Sequence, residues 1–428
     1  MYNILINMSA KDNHNIFHKA WWFLCILTIL LVPCCTLYSR SIPNNRVELK
    51  FTNNQCVIKR TIDLKGDTLF LPKNSKLVFK SGIICSGVIV GKESQIEGKK
   101  TGLFRNVTIE GTWKNKTVFS EWLDFKKLAR YDNRKNFINL MTLSKGSIHT
   151  DVYMEEGVFW CSAQTNAYGF RIPSNTSFHC KATIKELPNN FERVPFIQIF
   201  KSENVTIDGG VYYGDLVEHE GETGEWSHGI ECRASSNVII KNVTCCEFWG
   251  DGIDVIDGYD DNLKPTLNCY NVVINGAKCY YNRRCGIALE SVINCKMSKC
   301  ECRYTGIKRG TLPMTGIAIE AWTNATEKIK NIEITDCIFE DNKDKDLFVY
   351  AHGPFKADFV NYDNNIVVRN CRTGYFFVSY TNGITLENCE INKSKGYEYE
   401  YVKGLNYVNC TFKGEKLHKT VNNLPKKK

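Results

Sequence analysis

Proline is scarce in this sequence, 10 residues in 428, and stretches with helical periodicity are few. Apolar runs are short. Trp21 to Val32 is about a dozen residues, below the ~20 that a membrane-spanning helix needs. No CxxC pair is followed by a matching second pair, which removes the common zinc frameworks. A phosphate loop, a nucleophile triad and a nucleic-acid-binding motif are all missing, so no nucleic acid is expected as a partner. Nor does one sign of charge dominate. The 55 basic and 46 acidic residues leave +9, modest for the length and suited to an acidic partner such as a uronate or sulfated glycan.

What is present favours β structure: aromatics make up 12%, β-branched residues are common, and 30 glycines punctuate the chain. Residues 1–35 read as a signal peptide or signal anchor, with Lys19 ahead of the apolar run and Cys34 or Cys35 as a lipidation candidate. A secreted, periplasmic or cell-surface location is therefore expected, with membrane contact only through this segment or a lipid anchor. Residues 46–120 form a smaller N-terminal β-rich region. Residues 121–415 form the main domain, and 416–428 a basic tail whose lysines Lys426 to Lys428 read as a disordered end. A short helix is expected over Asn136 to Leu143, capping the main domain.

In the main domain a repeat becomes explicit. Asn204-Val-Thr-Ile-Asp-Gly-Gly aligns with Asn237-Val-Ile-Ile-Lys-Asn-Val and Asn271-Val-Val-Ile-Asn-Gly-Ala, and with later segments that begin at Asn331, Asn365 and Asn382. The asparagines are turn residues. Most of the 20 cysteines fall at a repeated strand position, and Cys300, Cys337, Cys371, Cys389 and Cys410 form one expected internal column. They read as small buried hydrophobes rather than as a disulfide framework. A second series restarts on Gly-Ile at Gly229, Gly252, Gly286 and Gly316. Each restart opens a strand whose Ile points inward. The outward columns then hold Glu231, Asp254, Ala288 and Ala318, and beside them Arg233, Ile256, Glu290 and Glu320.

These coils, their unequal loops and the Gly-Ile restarts resemble the right-handed parallel β-helix of the pectate-lyase-like superfamily, over roughly Leu123 to Phe412. The resemblance implies an all-β solenoid. It also implies a choice among the polysaccharide hydrolases, lyases, epimerases and phage depolymerases of that superfamily. Gly250-Asp251-Gly252-Ile253-Asp254 is similar to the acidic rung of polygalacturonase-type enzymes, but the paired aspartates, the Gly-His-Gly and the Arg-Ile-Lys of that family are missing; His228-Gly229 is a fragment of the second.

Stacked like charges repel, and folding does not require them, so the acids carry the functional expectation. Glu231, Asp251, Asp254, Glu290 and Glu320 are the candidate catalytic residues for cleaving glycosidic bonds. His228, Arg233, Arg283, Arg284, Lys308 and Tyr350 are the candidates for holding a polysaccharide, and the loop side chains Arg283, Arg284, Lys308 and Arg309 are suited to clamping its carboxylates or sulfates. A uronate lyase or epimerase using Arg or Lys is the second hypothesis, and a calcium ion on the stacked acids is the one cofactor it admits. A non-catalytic glycan-binding or structural β-helix is the third, in which the acids are a solvated face bridged to Arg233, Arg283 or Lys308.

Overall fold

The computed structural model describes residues 48–99, 101–164, 168–259, 265–321, 329–351, 363–392 and 397–423. The Trp21–Val32 run, Cys34, Cys35 and the terminal lysines Lys426–Lys428 lie outside them. The described chain is almost wholly β and winds into a parallel solenoid. A six-stranded parallel sheet spans Gln55–Ile58 to Phe104–Trp113, and a 26-stranded sheet takes up most of the rest.

In the larger sheet most coils contribute three strands, and each strand pairs in parallel with its counterpart one coil on. Ile230–Arg233, Ser236–Lys241 and Thr244–Cys246 make one coil; Ile253–Ile256, Cys269–Asn275 and Lys278–Tyr280 stack on it. Cys285–Leu289, Val292–Ser298 and Glu301–Arg303 follow. Parallel in-register pairing turns each position into a column with a spacing of about 4.8 Å. The first face buries Ile230, Ile253, Ile287, Ile317, Leu347 and Phe376 in one such column. The second buries Val238, Val272, Cys295, Ile332 and Ile366. The third stacks Cys245, Cys279, Cys302 and Phe339.

The corner between the first and second faces explains the asparagines. Asn175, Asn204, Asn237, Asn271, Asn294, Asn331 and Asn365 all have φ between 47° and 62°. Asn tolerates this left-handed region better than other side-chain-bearing residues do. Their side chains also form a ladder: each Nδ2 donates to the Oδ1 of the residue one coil earlier, at 2.9–3.2 Å.

All seventeen described cysteines are free thiols, and all but Cys85 are buried. The Cys300, Cys337, Cys371, Cys389 and Cys410 sulfurs do more than fill space. Each donates to the carbonyl two residues before it, at 3.1–3.5 Å. The backbone N–H groups of Cys300 and Cys337 donate to the next sulfur at 3.3 Å. A thiol thus serves a corner whose backbone groups have left the ladder.

The helix Arg134–Thr142 buries Phe137, Leu140 and Met141. Its Asn139 is also buried and bonds to the strand Phe104–Trp113: Oδ1 accepts from the Ile109 N–H at 2.9 Å and Nδ2 donates to the Val107 carbonyl at 3.0 Å. The helix therefore stands where the two sheets meet, with strands on both sides of it in the sequence. The stretch read as a basic tail from 416 behaves differently from that reading. Glu415–Asn423 is a strand, antiparallel to Tyr397–Phe412, with Leu417 buried and Val421 packed on the core. Its alternation of Leu417, Lys419 and Val421 is masked by the surrounding charge.

The asparagine ladder gives a direct test. Asn271→Ala removes two ladder bonds and places a Cβ-bearing residue without a compensating amide at φ 54°. It should lower the unfolding free energy by about 1–3 kcal/mol, while Asn271→Gly, which relieves the backbone part, should cost less. Urea unfolding of the two variants checks the order.

Candidate active site

One outward column of the first face runs Arg171, Gln198, Glu231, Asp254, Ala288, Ala318, Phe348, Phe377. It passes from basic through acidic and small to aromatic. The glycines that open these strands are needed for the coils to stack. A Cβ at Gly252 would stand 2.7 Å from the Gly286 carbonyl oxygen, and one at Gly286 would stand 2.5 Å from that of Gly316. They serve close backbone packing rather than a groove floor.

The acids are not on an open surface, as the alternation suggested. Asp251 and Asp254 are 0% exposed, Glu320 2%, Glu231 4% and Glu290 9%, with His228 at 2% and Arg284 at 3%. Segments distant in sequence pack beside them: Ser227 Oγ donates to the Phe191 carbonyl and accepts from the Val194 N–H, next to His228.

Within this enclosure the charges are ordered. Arg284 Nη1 lies 2.7 Å from Asp251 Oδ2 and 3.3 Å from Glu290 Oε1, and its Nη2 lies 3.5 Å from Glu320 Oε2. Arg233 Nη2 binds Glu231 Oε2 at 2.9 Å and its Nη1 donates to the Asp257 carbonyl at 2.8 Å. Gln198 Nε2 donates to the other Glu231 oxygen at 2.7 Å. His228 Nδ1 accepts the Asp251 backbone N–H at 3.0 Å, so the neutral ring carries its proton on Nε2, 3.5 Å from Asp254 Oδ2. Among the described residues, neither Asp254 oxygen has a hydrogen-bond partner, nor has Asp251 Oδ1.

Burial pushes the Asp254 carboxyl well above the usual range, and the neighbouring Glu290, Asp251 and Glu231 charges push it further. Glu290 is pushed up to about 8, first by burial and then by Glu320 and Asp251, against the opposing pull of Arg284. Asp251 is raised to about 6 by burial, with Arg284 limiting the rise. Burial and the Arg284 and Arg233 charges hold His228 neutral, well below its ordinary value.

The remaining candidates are dispersed. Tyr350 is the register partner of Glu320 and stacks on Phe348 with ring centroids 5.6 Å apart. Arg283 points away from the acids. It lies over the Trp249 ring at 3.7 Å and donates to the carbonyls of Arg309 and Gly224. Arg309 lies over the same ring and donates to the carbonyls of Leu216, His219 and Gly221. These arginines clamp the 214–226 connection. Lys308 pairs with Glu247 at 2.6 Å, half-exposed and apart from the cluster. Two participants escaped the sequence reading. Gln198 shares the acid column, but its strand lacks the Gly-Ile restart. Trp249 directly precedes Gly250-Asp251.

Among the described residues, two groups bring three donor atoms within 4.8 Å: His228, Glu231 and Asp254, and Asp251, Asp254 and Glu290. In the first, the His228 lone pair is spent on the Asp251 N–H, leaving none on Nε2 for a metal. In the second, Arg284 already contacts Asp251 and Glu290. The donor set fits a calcium ion poorly, because arginine supplies the counter-charge.

No family model matches the chain. It is 28% identical over 162 residues to the uncharacterized protein YclG of Bacillus subtilis, covering 36% of this chain and 28% of that protein. It is 26% identical over 218 residues to the prophage-derived uncharacterized protein YorA of the same organism, covering 46% of this chain and 36% of that protein. These matches therefore span about a third of the curated relatives or less. Among solved structures, an exopolygalacturonase from Thermotoga maritima superposes with a TM-score of 0.40 at 13% identity, covering 72% of this chain and 94% of that one.

The buried acids make stability depend on pH with a definite sign. Glu290 and Asp251 hold protons in the folded chain that the unfolded chain releases. Their contribution is full below the ordinary carboxylate range and is lost as pH rises through about 6 and about 8. His228, kept neutral, acts oppositely, and its contribution is lost as pH falls below its ordinary 6.5. Stability should therefore fall between about pH 6.5 and about pH 8.5. Denaturant titrations across that interval check it, and Glu290→Gln should flatten the slope.

Proposed function

We propose that the chain is a carbohydrate-active β-helix protein that cleaves glycosidic bonds of a polysaccharide by carboxylate acid/base catalysis, with Asp254 as the acid. The observation that carries this is the Asp254 carboxyl: fully buried, without a hydrogen-bond partner among the described residues, and surrounded by Glu231, Asp251 and Glu290. A carboxyl in that setting keeps its proton at neutral pH and has it available for a leaving-group oxygen. Folding alone would have paired it or replaced it with an apolar residue.

The hydrogen bonds divide the remaining roles. Both Glu231 oxygens are occupied, by Gln198 and Arg233, so Glu231 is a poor proton acceptor. Asp251 has Oδ2 on Arg284 and Oδ1 free. Arg284 favours its ionised form, which makes Asp251 the base or nucleophile opposite Asp254. Glu290 and Glu320 share Arg284 with Asp251 and set how much positive charge it receives. His228 holds its Nε2–H toward Asp254. Among the basic candidates none stands free beside the acids: Arg284 is held by three carboxylates and Arg233 by Glu231, which favours hydrolysis over elimination by Arg or Lys. The apolar run Trp21–Val32 is the reason to place the substrate outside the cytoplasm, and the handedness preference of parallel crossovers makes the winding right-handed.

One observation favours a second reading. The acids are too enclosed to meet a polymer in the described arrangement, as a purely structural network would be. Asp254→Asn separates the two. If the proposal holds, the variant melts at or above the wild-type temperature, because Asn matches the neutral carboxyl in shape and leaves no group that could ionise beside Glu231, Asp251 and Glu290. Release of reducing sugar from any glycan the wild type cleaves falls about a hundredfold or more. A variant that melts and cleaves like wild type removes Asp254 from the chemistry. An unsaturated, ultraviolet-absorbing product would show elimination instead.

A further inference from the structure

The connection 214–226 joins strands Glu203–Tyr213 and Ile230–Arg233 without forming a helix or strand of its own. It carries Asp215, Glu218, Glu220, Glu222 and Glu225, and neither lysine nor arginine. Of its apolar side chains Leu216 is buried, while Val217 is 60% exposed and Trp226 41%. A segment that buries so little apolar surface is held by polar contacts, and such segments open more readily than the core does.

Its contacts centre on arginines and one aromatic ring. Arg309 Nη1 donates to the carbonyls of Leu216 and His219 at 3.1 and 2.8 Å, and its Nη2 to the Gly221 carbonyl at 2.7 Å and to Glu222 Oε1 at 3.1 Å. Arg130 Nη2 pairs with the exposed Glu218 at 2.6 Å, and Arg283 donates to the Gly224 carbonyl. Trp249 Nε1 donates to the Thr223 carbonyl at 3.1 Å. The His219 imidazole stacks on the Trp249 ring at 3.9 Å and 16°, and the Arg283 and Arg309 guanidiniums lie over the same ring at 3.7 and 4.5 Å. His219 Nδ1 lies 2.9 Å from Asp215 Oδ2, while its buried Nε2 has no partner among the described residues. The ring is thus placed on the indole at the expense of a hydrogen bond.

An acidic strap that lays a flat ring on an indole beside two arginines has the chemistry of an acidic sugar chain. An indole face is apolar and accepts the C–H face of a sugar ring. A guanidinium takes a carboxylate or a sulfate with two parallel bonds. Apart from Glu222, the acceptors that Arg283 and Arg309 now hold are main-chain carbonyls, dipoles that a full anion outbids. The position is adjacent to the acids: Trp249 directly precedes Gly250-Asp251, and a Cβ at Gly250 would stand 2.9 Å from the Glu225 carbonyl oxygen of the strap. We infer, on the reading that this chain acts on a polysaccharide, that the 214–226 strap is the displaceable occupant of a subsite for an anionic polymer. One sugar ring of that polymer stacks on Trp249 where His219 now lies, and Arg283 and Arg309 hold its carboxylate or sulfate. Strap and polymer then exclude each other, and the edge of the acid cluster at Gly250 is covered only while the strap is docked.

Hydrogen exchange on the full-length Asp254→Asn chain, in which the polymer stays intact, tests this with polygalacturonate, dextran sulfate and neutral dextran. The Glu220 and Trp226 amides, bonded to the Asn189 and Glu192 carbonyls at 2.9 and 3.0 Å, report on the strap. At least one of the two anionic polymers should speed their exchange by about tenfold or more, and dextran should not. Which of the two acts tells carboxylate from sulfate. In the same background His219→Ala, which frees the indole, should tighten binding about two- to tenfold. Glu218→Gln, an exposed change that leaves the fold intact, should tighten it about two- to fivefold. Arg309→Gln should release the strap without polymer and yet bind polymer about tenfold or more weakly, a combination that a purely structural clamp would not give. Exchange that neither anionic polymer speeds, or polymer binding that Arg309→Gln retains, overturns the subsite. Cleavage by the wild type without strap release would overturn it and leave hydrolysis standing; strap release by a polymer that the wild type does not cleave supports the subsite and counts against hydrolysis.

Discussion

The physical constraint on which this structure depends is in-register stacking of coils. Once strands pair in parallel without offset, each side chain meets its own counterpart about 4.8 Å above and below. Columns of Ile, Val and Cys gain from that, because like packs on like. Columns of asparagine gain as well, since an amide both donates and accepts and can therefore form a ladder with itself. A column of carboxylates does not gain: Glu231 above Asp254, with Asp251 and Glu290 alongside, is a repulsive arrangement that the fold must offset.

Three features offset it. Arg284 contacts Asp251, Glu290 and Glu320, and Arg233 with Gln198 takes up Glu231. Asp254 has no arginine hydrogen-bonded to it among the described residues, and burial with its acidic neighbours pushes its carboxyl well above the usual range. The charge pattern thus follows from position. The two arginines serve the outer acids, while the central acid between them has no arginine bonded to it and is pushed up together with Glu290. Arg283 and Arg309 belong to a different task, fastening the 214–226 connection around Trp249 through backbone carbonyls.

The solenoid was legible in the sequence because its signals are local: alternation within a strand, Asn at the corner, Gly-Ile at the restart. The pairing of Glu231 with Asp254 and of Ala288 with Ala318 followed from aligning those restarts. What was illegible came from distant segments. Burial of the acids cannot be read from alternation, which reports only that a face points away from the core. Gln198 joins the acid column from the strand Ile197–Phe200, which is preceded by Pro195-Phe196 and carries no Gly-Ile restart. Except for Glu222, which pairs with Arg309, the acceptors of Arg283 and Arg309 are main-chain oxygens that leave no mark in sequence.

The proposed chemistry requires a carboxylic acid that stays protonated at neutral pH inside the coil stack. Infrared difference spectroscopy reads that state directly, because a protonated carboxyl has a C=O stretch well separated from that of a carboxylate. Wild-type protein at pH 7 should show the protonated band, shifted by isotope exchange, and Asp254→Asn should remove that part of it while leaving the amide bands unchanged. A wild-type spectrum with no protonated carboxyl at pH 7, or one identical to that of Asp254→Asn in this region, would contradict the central claim.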